Sequence, residues 1–202
     1  MNCPPLAIVQ ARMASTRLPN KVLLPLADGR PILAWVVERA VAAFGPTNVV
    51  VATTANPSNA PILSWCSDHG VRVEAWPGPE ADVLSRFYHV AHAYRWNPDS
   101  VIVRVTADDP FREVEAMWRV AAGERLPVEQ GAEAFTLAML DEAHVYYACG
   151  PSETREHITD ALFPCRVPSP TDGRVWTVDT AEDYERAVLR SAATPPLNAQ
   201  VF

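Results

Sequence analysis

Apolar residues recur along this chain in two rhythms. Short unbroken runs, Leu6-Ala7-Ile8-Val9, Asn48 through Thr53, Val71 through Ala75 and Ser100 through Val105, are bounded by turn residues and read as buried strands. Between them the spacing changes to three and four. Ile32, Leu33, Val36, Val37, Ala40, Val41 and Phe44 follow Pro31 as a core-facing helix, a shorter one runs through Ile62, Leu63, Trp65 and Cys66, and Val83, Leu84, Phe87, Ala91 and Tyr94 mark a third. Alternating strands and helices predict an α/β fold with a doubly wound, mostly parallel sheet.

The second half is less regular. Met117 and Trp118 are expected in a core helix, Ala134-Phe135-Thr136 reads as a strand, and Leu137 to Tyr147 reads as a helix. Thr154 to Thr159 opens a polar helical stretch, and Arg174 to Val178 reads as a strand ending at Asp179. Thr180-Ala181-Glu182-Asp183 starts the last helix like a capping box, and the residues from Pro195 on read as a tail. One domain over residues 1–194, with 195–202 as the tail, accommodates all of this.

Composition narrows the function classes. With 202 residues and a hydrophobic fraction of 49%, the chain can bury one sizeable core. The net charge of −7 argues against general nucleic-acid binding, so any anion site must be local. Cys3, Cys66, Cys149 and Cys165 are widely spaced and suggest neither a zinc site nor a disulfide framework. No apolar run has the length to span a membrane and no secretory leader is evident, so the expected location is the cytoplasm.

The densest local chemistry follows the first strand. Arg12, Arg17 and Lys21 lie among Ser15, Thr16 and small residues in a loop that leaves the carboxyl end of a central strand. Such a loop suits a polyphosphate, because arginine forks and a lysine point charge complement phosphate oxygens, or it is a solvated surface loop. Neither G-x-x-x-x-G-K-[ST] nor G-x-G-x-x-G occurs. Asp108 and Asp109 end the strand at Ser100 to Val105, where they offer oxygen ligands to Mg²⁺ or simply make an Asp-Asp-Pro turn. Asp179 has the same ambiguity between metal ligand and cap. His157 is a proton-transfer residue or an exposed histidine.

Five stretches, in order, resemble one family. They are Gln10-Ala-Arg-Met-Ala-Ser-Thr-Arg-Leu-Pro-Asn-Lys-Val-Leu, Asp82-Val-Leu-Ser-Arg-Phe-Tyr, Val103-Arg-Val-Thr-Ala-Asp-Asp-Pro, Arg155-Glu-His-Ile-Thr and Thr177-Val-Asp-Thr-Ala-Glu-Asp-Tyr. They look like the cytidylyltransferases of the spore-coat polysaccharide biosynthesis type, related to the CMP-Kdo and CMP-sialic acid synthetases. The resemblance implies a GT-A-like nucleotidyltransferase fold that transfers CMP from CTP to a sugar acid or related acidic metabolite and releases pyrophosphate. It places Gln10, Ala11, Arg12, Ser15, Arg17, Lys21, Asp82 and Asp108 at the nucleotide. Arg12, Lys21 and Asp108 are the implied catalytic charges, Asp108 and Asp179 the implied Mg²⁺ ligands, and a homodimer the implied assembly. Ala14, Asn20 and Ala107 stand where relatives carry glycine, and asparagine still tolerates left-handed backbone angles. The segment between Ala121 and Ala134 is short, within an acceptor-side region expected at about 123–168. A GT-A-like glycosyltransferase and a non-catalytic nucleotide-binding module are the alternatives.

Overall fold

The computed structural model describes residues 4–95, 97–126, 133–148, 162, 177–194 and 197. The helical stretch with Arg155 and His157, positions 174–176 of the expected strand, nearly all of the tail, most of the acceptor-side region and Cys3, Cys149 and Cys165 lie outside the described residues.

A five-stranded sheet forms the centre, with β1 (Leu6–Gln10), β2 (Val49–Thr54), β3 (Val73–Trp76), β4 (Val101–Thr106) and β5 (Glu133–Thr136) in spatial order 3-2-1-4-5. The first four strands are mutually parallel, and β5 runs antiparallel to β4. β1 pairs Ala7 with Val49 on one side and with Val103 on the other.

Successive strand side chains point to opposite faces, so the sheet has two cores. Ala7, Val9, Val49, Val51, Val103 and Val105 meet α1 (Ile32–Phe44), α2 (Ala60–Asp68), α4 (Val114–Ala121) and α6 (Ala181–Ala193). Leu6, Ile8, Val50, Ala52 and Ile102 meet α3 (Val83–Tyr94) and α5 (Leu137–Tyr147). Fully burying each large side chain is worth about 1.5–3 kcal/mol, which is what selects helix periodicity between strands. Trp35 of α1 is completely buried, edge-on to Phe111, and its Nε1 donates to Asp28.

The strand at residues 71–75 is displaced to Val73–Trp76, while the helix at 137–147 has the expected bounds. Trp118 departs from expectation. Met117 is buried, but Trp118 lies on the outer side of α4, 52% exposed, with its Nε1 donating to the Ala43 carbonyl. Adjacent helical positions point about 100° apart, so both could not face the same core. At Thr177 and Val178, the described end of the other expected strand, the backbone is not a strand, although Val178 N–H donates to the Asp108 carbonyl.

Candidate active site

In a doubly wound sheet a crevice opens where the strand order reverses, here between β1 and β4. A cavity of about 490 Å³ lies at their carboxyl ends, lined by Gln10, Arg12, Ser15, Arg17 and Lys21 from β1 and its loop. Arg104, Thr106, Asp108 and Arg112 line it from β4 and beyond, and Thr177 and Asp179 from the approach to α6.

The loop after β1 is held by its own backbone and by one distant asparagine. Ser15 Oγ accepts from Leu18 N–H, and Asn20 N–H donates to the Met13 carbonyl. Asn20 sits at φ 60°, ψ 17°, the one non-glycine among the described residues with positive φ, so the left-handed turn expected of it is present. Met13 N–H donates to Oδ1 of Asn59, which is fully buried. Asn59 Nδ2 in turn reaches Thr54 Oγ1 at 2.8 Å and Glu80 Oε1 at 2.8 Å. Asn59 therefore fixes the loop against β2 and the segment before α3, and it does not cap α2.

Four charges converge from three stretches far apart in sequence. Lys21 Nζ lies 2.6 Å from Asp108 Oδ2 and 2.8 Å from Asp179 Oδ1, and Arg17 Nη2 lies 3.0 Å from Asp179 Oδ2. Burial pulls the Lys21 ammonium toward a lower pKa, but the charge and hydrogen bonds of Asp108 and Asp179 outweigh it and raise the pKa above the ordinary lysine value. One ammonium reaches both carboxylates, so one small cation could as well. Asp108 Oδ1 is buried without a hydrogen-bond partner, a further oxygen suited to a metal. Among the described residues no group of three or more His, Cys, Asp or Glu could hold a metal. Two carboxylates completed by phosphate and water match the habit of Mg²⁺.

Behind Asp108, Asp109 is almost fully buried. Burial pushes its carboxyl up to about 6, opposed by Arg112 2.9 Å away and reinforced by the charge of Asp108. Arg112 Nη2 also donates to Thr106 Oγ1. The Asp-Asp pair thus divides, Asp108 facing the cavity and Asp109 anchoring the wall.

Ala11 and Asp82 do not line the cavity. Ala11 is buried core, its N–H bonded to the Ala52 carbonyl, and Asp82 caps α3 by accepting from Ser85 N–H.

Arg104, Arg112, Asn59 and Arg86 carry chemistry that the sequence reading did not single out. Arg104 lies in β4 on the face of Gln10. Its Nη1 is 2.7 Å from Glu133 Oε2 and its Nε 3.3 Å from Gln10 Oε1. The signal was available, because Arg104 interrupts an otherwise apolar strand two residues before Thr106 and four before Asp108. Arg86 in α3 is fully buried, and none of its three nitrogens has a hydrogen-bond partner.

The sequence pattern of the cytidylyltransferase family matches residues 6–125. An uncharacterized protein of Methanocaldococcus jannaschii is 30% identical over 196 residues, covering 92% of this chain and 76% of that protein. The spore coat polysaccharide biosynthesis protein SpsF of Bacillus subtilis is 39% identical over 115 residues, 55% of this chain, and the match takes in 46% of SpsF. Among solved structures, a cytidylyltransferase of Leptospira borgpetersenii superimposes with a TM-score of 0.78 at 25% identity, covering 95% of this chain and 88% of that one. The CMP:2-keto-3-deoxy-manno-octonic acid synthetase complexed with CTP shares the fold, with a TM-score of 0.63 at 17% identity over 95% of this chain and 99% of that one.

Proposed function

Since this chain belongs to the cytidylyltransferase family, we propose that it transfers CMP from CTP to a sugar acid or related acidic small molecule, with Mg²⁺ bound and pyrophosphate released. The observation that carries this reading is the convergence of Lys21 with Asp108 and Asp179 in the β1/β4 crevice, beside Arg12 and Arg17. A cluster of this kind has more machinery than a neutral ligand needs.

Each part has a role that follows from its chemistry. Arg12 and Arg17 bind phosphate oxygens through planar forks, and Lys21 neutralises them as a point charge. Asp108 and Asp179 hold Mg²⁺, which supplies Lewis-acid neutralisation of the phosphates. An anionic oxygen of the acceptor, or a hydroxyl oxygen that gives its proton to solvent, forms the new bond to the α-phosphorus as the bond from that phosphorus to the oxygen bridging to the β-phosphate breaks. The electron pair leaves with pyrophosphate, and the cations of the loop stabilise that charge. No protein nucleophile is needed, so positioning by the braced loop supplies much of the rate.

A thermal-shift series with CTP, UTP, ATP and GTP, each with and without Mg²⁺, tests the reading in wild type and Asp108→Asn. Ligand at a hundred times its Kd stabilises by about 2.7 kcal/mol, which for a chain of this length raises Tm by roughly 5–10 °C. The expected result is a Mg²⁺-dependent rise selective for CTP and reduced in Asp108→Asn, with pyrophosphate release in that variant down at least about 100-fold. Stabilisation by no nucleotide, or by a nucleotide sugar alone, would replace this reading with a binding module or a glycosyltransferase.

A further inference from the structure

One corner of the cavity carries charge that the triphosphate cradle does not use. Arg104 reaches the cavity from β4, mostly buried, with Nη1 held by Glu133 and Nε by Gln10. Behind Arg104 lies Arg86, 0% exposed, with Nε, Nη1 and Nη2 all unpartnered.

Such a guanidinium is costly to a fold. Buried cations are ordinarily paired, because desolvation is recovered only through good hydrogen bonds. Burial is the largest influence on Arg86 and draws its pKa down to about 10, with the positive charge of Arg12 and Arg104 acting in the same direction. The nearby carboxylates Glu80 and Asp82 oppose this, but their hydrogen bonds go elsewhere, Glu80 accepting from Asn59 and Thr54 and Asp82 from Ser85. Arg86 and Arg104 thus place two guanidinium groups on the α3 face of the sheet, and the buried one has no acceptor within hydrogen-bond distance. Guanidinium groups only donate, so the missing complement is a set of acceptors, and a negatively charged oxyanion offsets the buried positive charge best.

Arg104 enters the cavity from a different side than Arg17 and Lys21. Arg17 and Lys21 reach Asp179 and Asp108 on the side of the basic loop, whereas Arg104 belongs to β4 and is tied to the first residue of β5. In an in-line displacement the acceptor enters opposite the departing pyrophosphate. We infer that Arg104 contacts the oxyanion of the acceptor, a carboxylate or a phosphate or phosphonate group, and that Arg86 is a positioning residue whose buried charge strengthens that contact from behind. As an acceptor subsite the corner presupposes the cytidylyl-transfer reading above.

Calorimetry separates the two. The α,β-methylene analogue of CTP is titrated first with Mg²⁺, and its failure to bind wild type would remove the transfer reading and the acceptor subsite with it. With the analogue bound, methylphosphonate, glycerol phosphate and a 2-keto-3-deoxy sugar acid are titrated, with glucose as neutral control. The expected result is saturable binding of at least one anion and none of glucose, with the sugar acid marking a carboxylate acceptor and the other two a phosphorus oxyanion. Affinity should fall about tenfold or more in Arg104→Gln and Arg86→Met and recover in part in Arg86→Lys, with the Kd of the CTP analogue within about twofold of wild type. Arg86→Met should also raise Tm by roughly 2–4 °C, since it removes an unpaired buried charge. Absence of binding by every anion, a loss that tracks CTP affinity, or a lower Tm in Arg86→Met would overturn the assignment.

Discussion

Lys21 shows how much a single residue does in this site. It is the common counter-charge of Asp108 and Asp179, so Lys21→Met leaves two carboxylates facing one another. Mn²⁺ binding without nucleotide, read by electron paramagnetic resonance, should therefore tighten by about tenfold in that variant while CTP binding weakens. Equal or weaker Mn²⁺ binding would remove the shared-carboxylate assignment. Asp28 gives a pH signature at a structural position. Burial raises its pKa, but hydrogen bonds from Arg30 and Trp35 outweigh it and leave the carboxyl below its ordinary value of 3.8. A group whose folded pKa is depressed adds stability above its unfolded pKa and loses it as the pH falls through the folded one. Urea unfolding should show Asp28→Asn weaker than wild type by about 1–2 kcal/mol at pH 7, with the gap closing below about pH 3.8. Arg12, Arg17, Lys21 and Asp108, which follow the ends of β1 and β4, stood out in sequence because a strand end at a switch point is where ligands bind, whereas Asp179 was picked out on the expectation of a strand that the backbone at Thr177 and Val178 does not form. Asn59, Arg86 and Arg104 were not singled out, because their roles depend on which distant segments fold against them.

At the scale of elements, the hydrophobic rhythm foretold most strands and helices, since burial on both sheet faces constrains every second strand position and one stripe of each helix. Ends were less legible. β3 slides toward Trp76 because its register is set by pairing with Val51 through Thr54, a long-range choice. Trp118 was misplaced because an aromatic on a short helix suits a core in composition, while geometry turns it outward. The start of α6 was legible and has a measurable role. Thr180 Oγ1 accepts from Asp183 N–H, the Asp183 carboxylate accepts from Thr180 N–H, and Asp179 N–H also donates to Asp183. This box both begins the helix and aims Asp179. Thr180→Ala should cost about 1 kcal/mol, lowering Tm by roughly 2–4 °C, and should weaken Mg²⁺-dependent CTP stabilisation beyond that loss. A Tm change with unaltered nucleotide response would confine Thr180 to capping.

The whole molecule brings the two ends of the sequence together at the site. Tyr184 Oη donates to the Pro25 carbonyl, Ser191 Oγ accepts from Ala27 N–H, and Val178 N–H donates to the Asp108 carbonyl. α6 is thereby tied to the segment after the basic loop, and Asp179 is carried into contact with a lysine 158 positions earlier. During synthesis on the ribosome the parallel strands β1 to β4 emerge first, with their hydrophobic faces available to pack. Lys21 and Asp108 then have each other, but the second carboxylate arrives only with the start of α6. Contacts of such long sequence separation close late, after the loop entropy of the intervening chain has been overcome. A nascent chain can thus complete much of its sheet while the charges of the crevice remain unassembled, which couples the completion of that cluster to the arrival of α6.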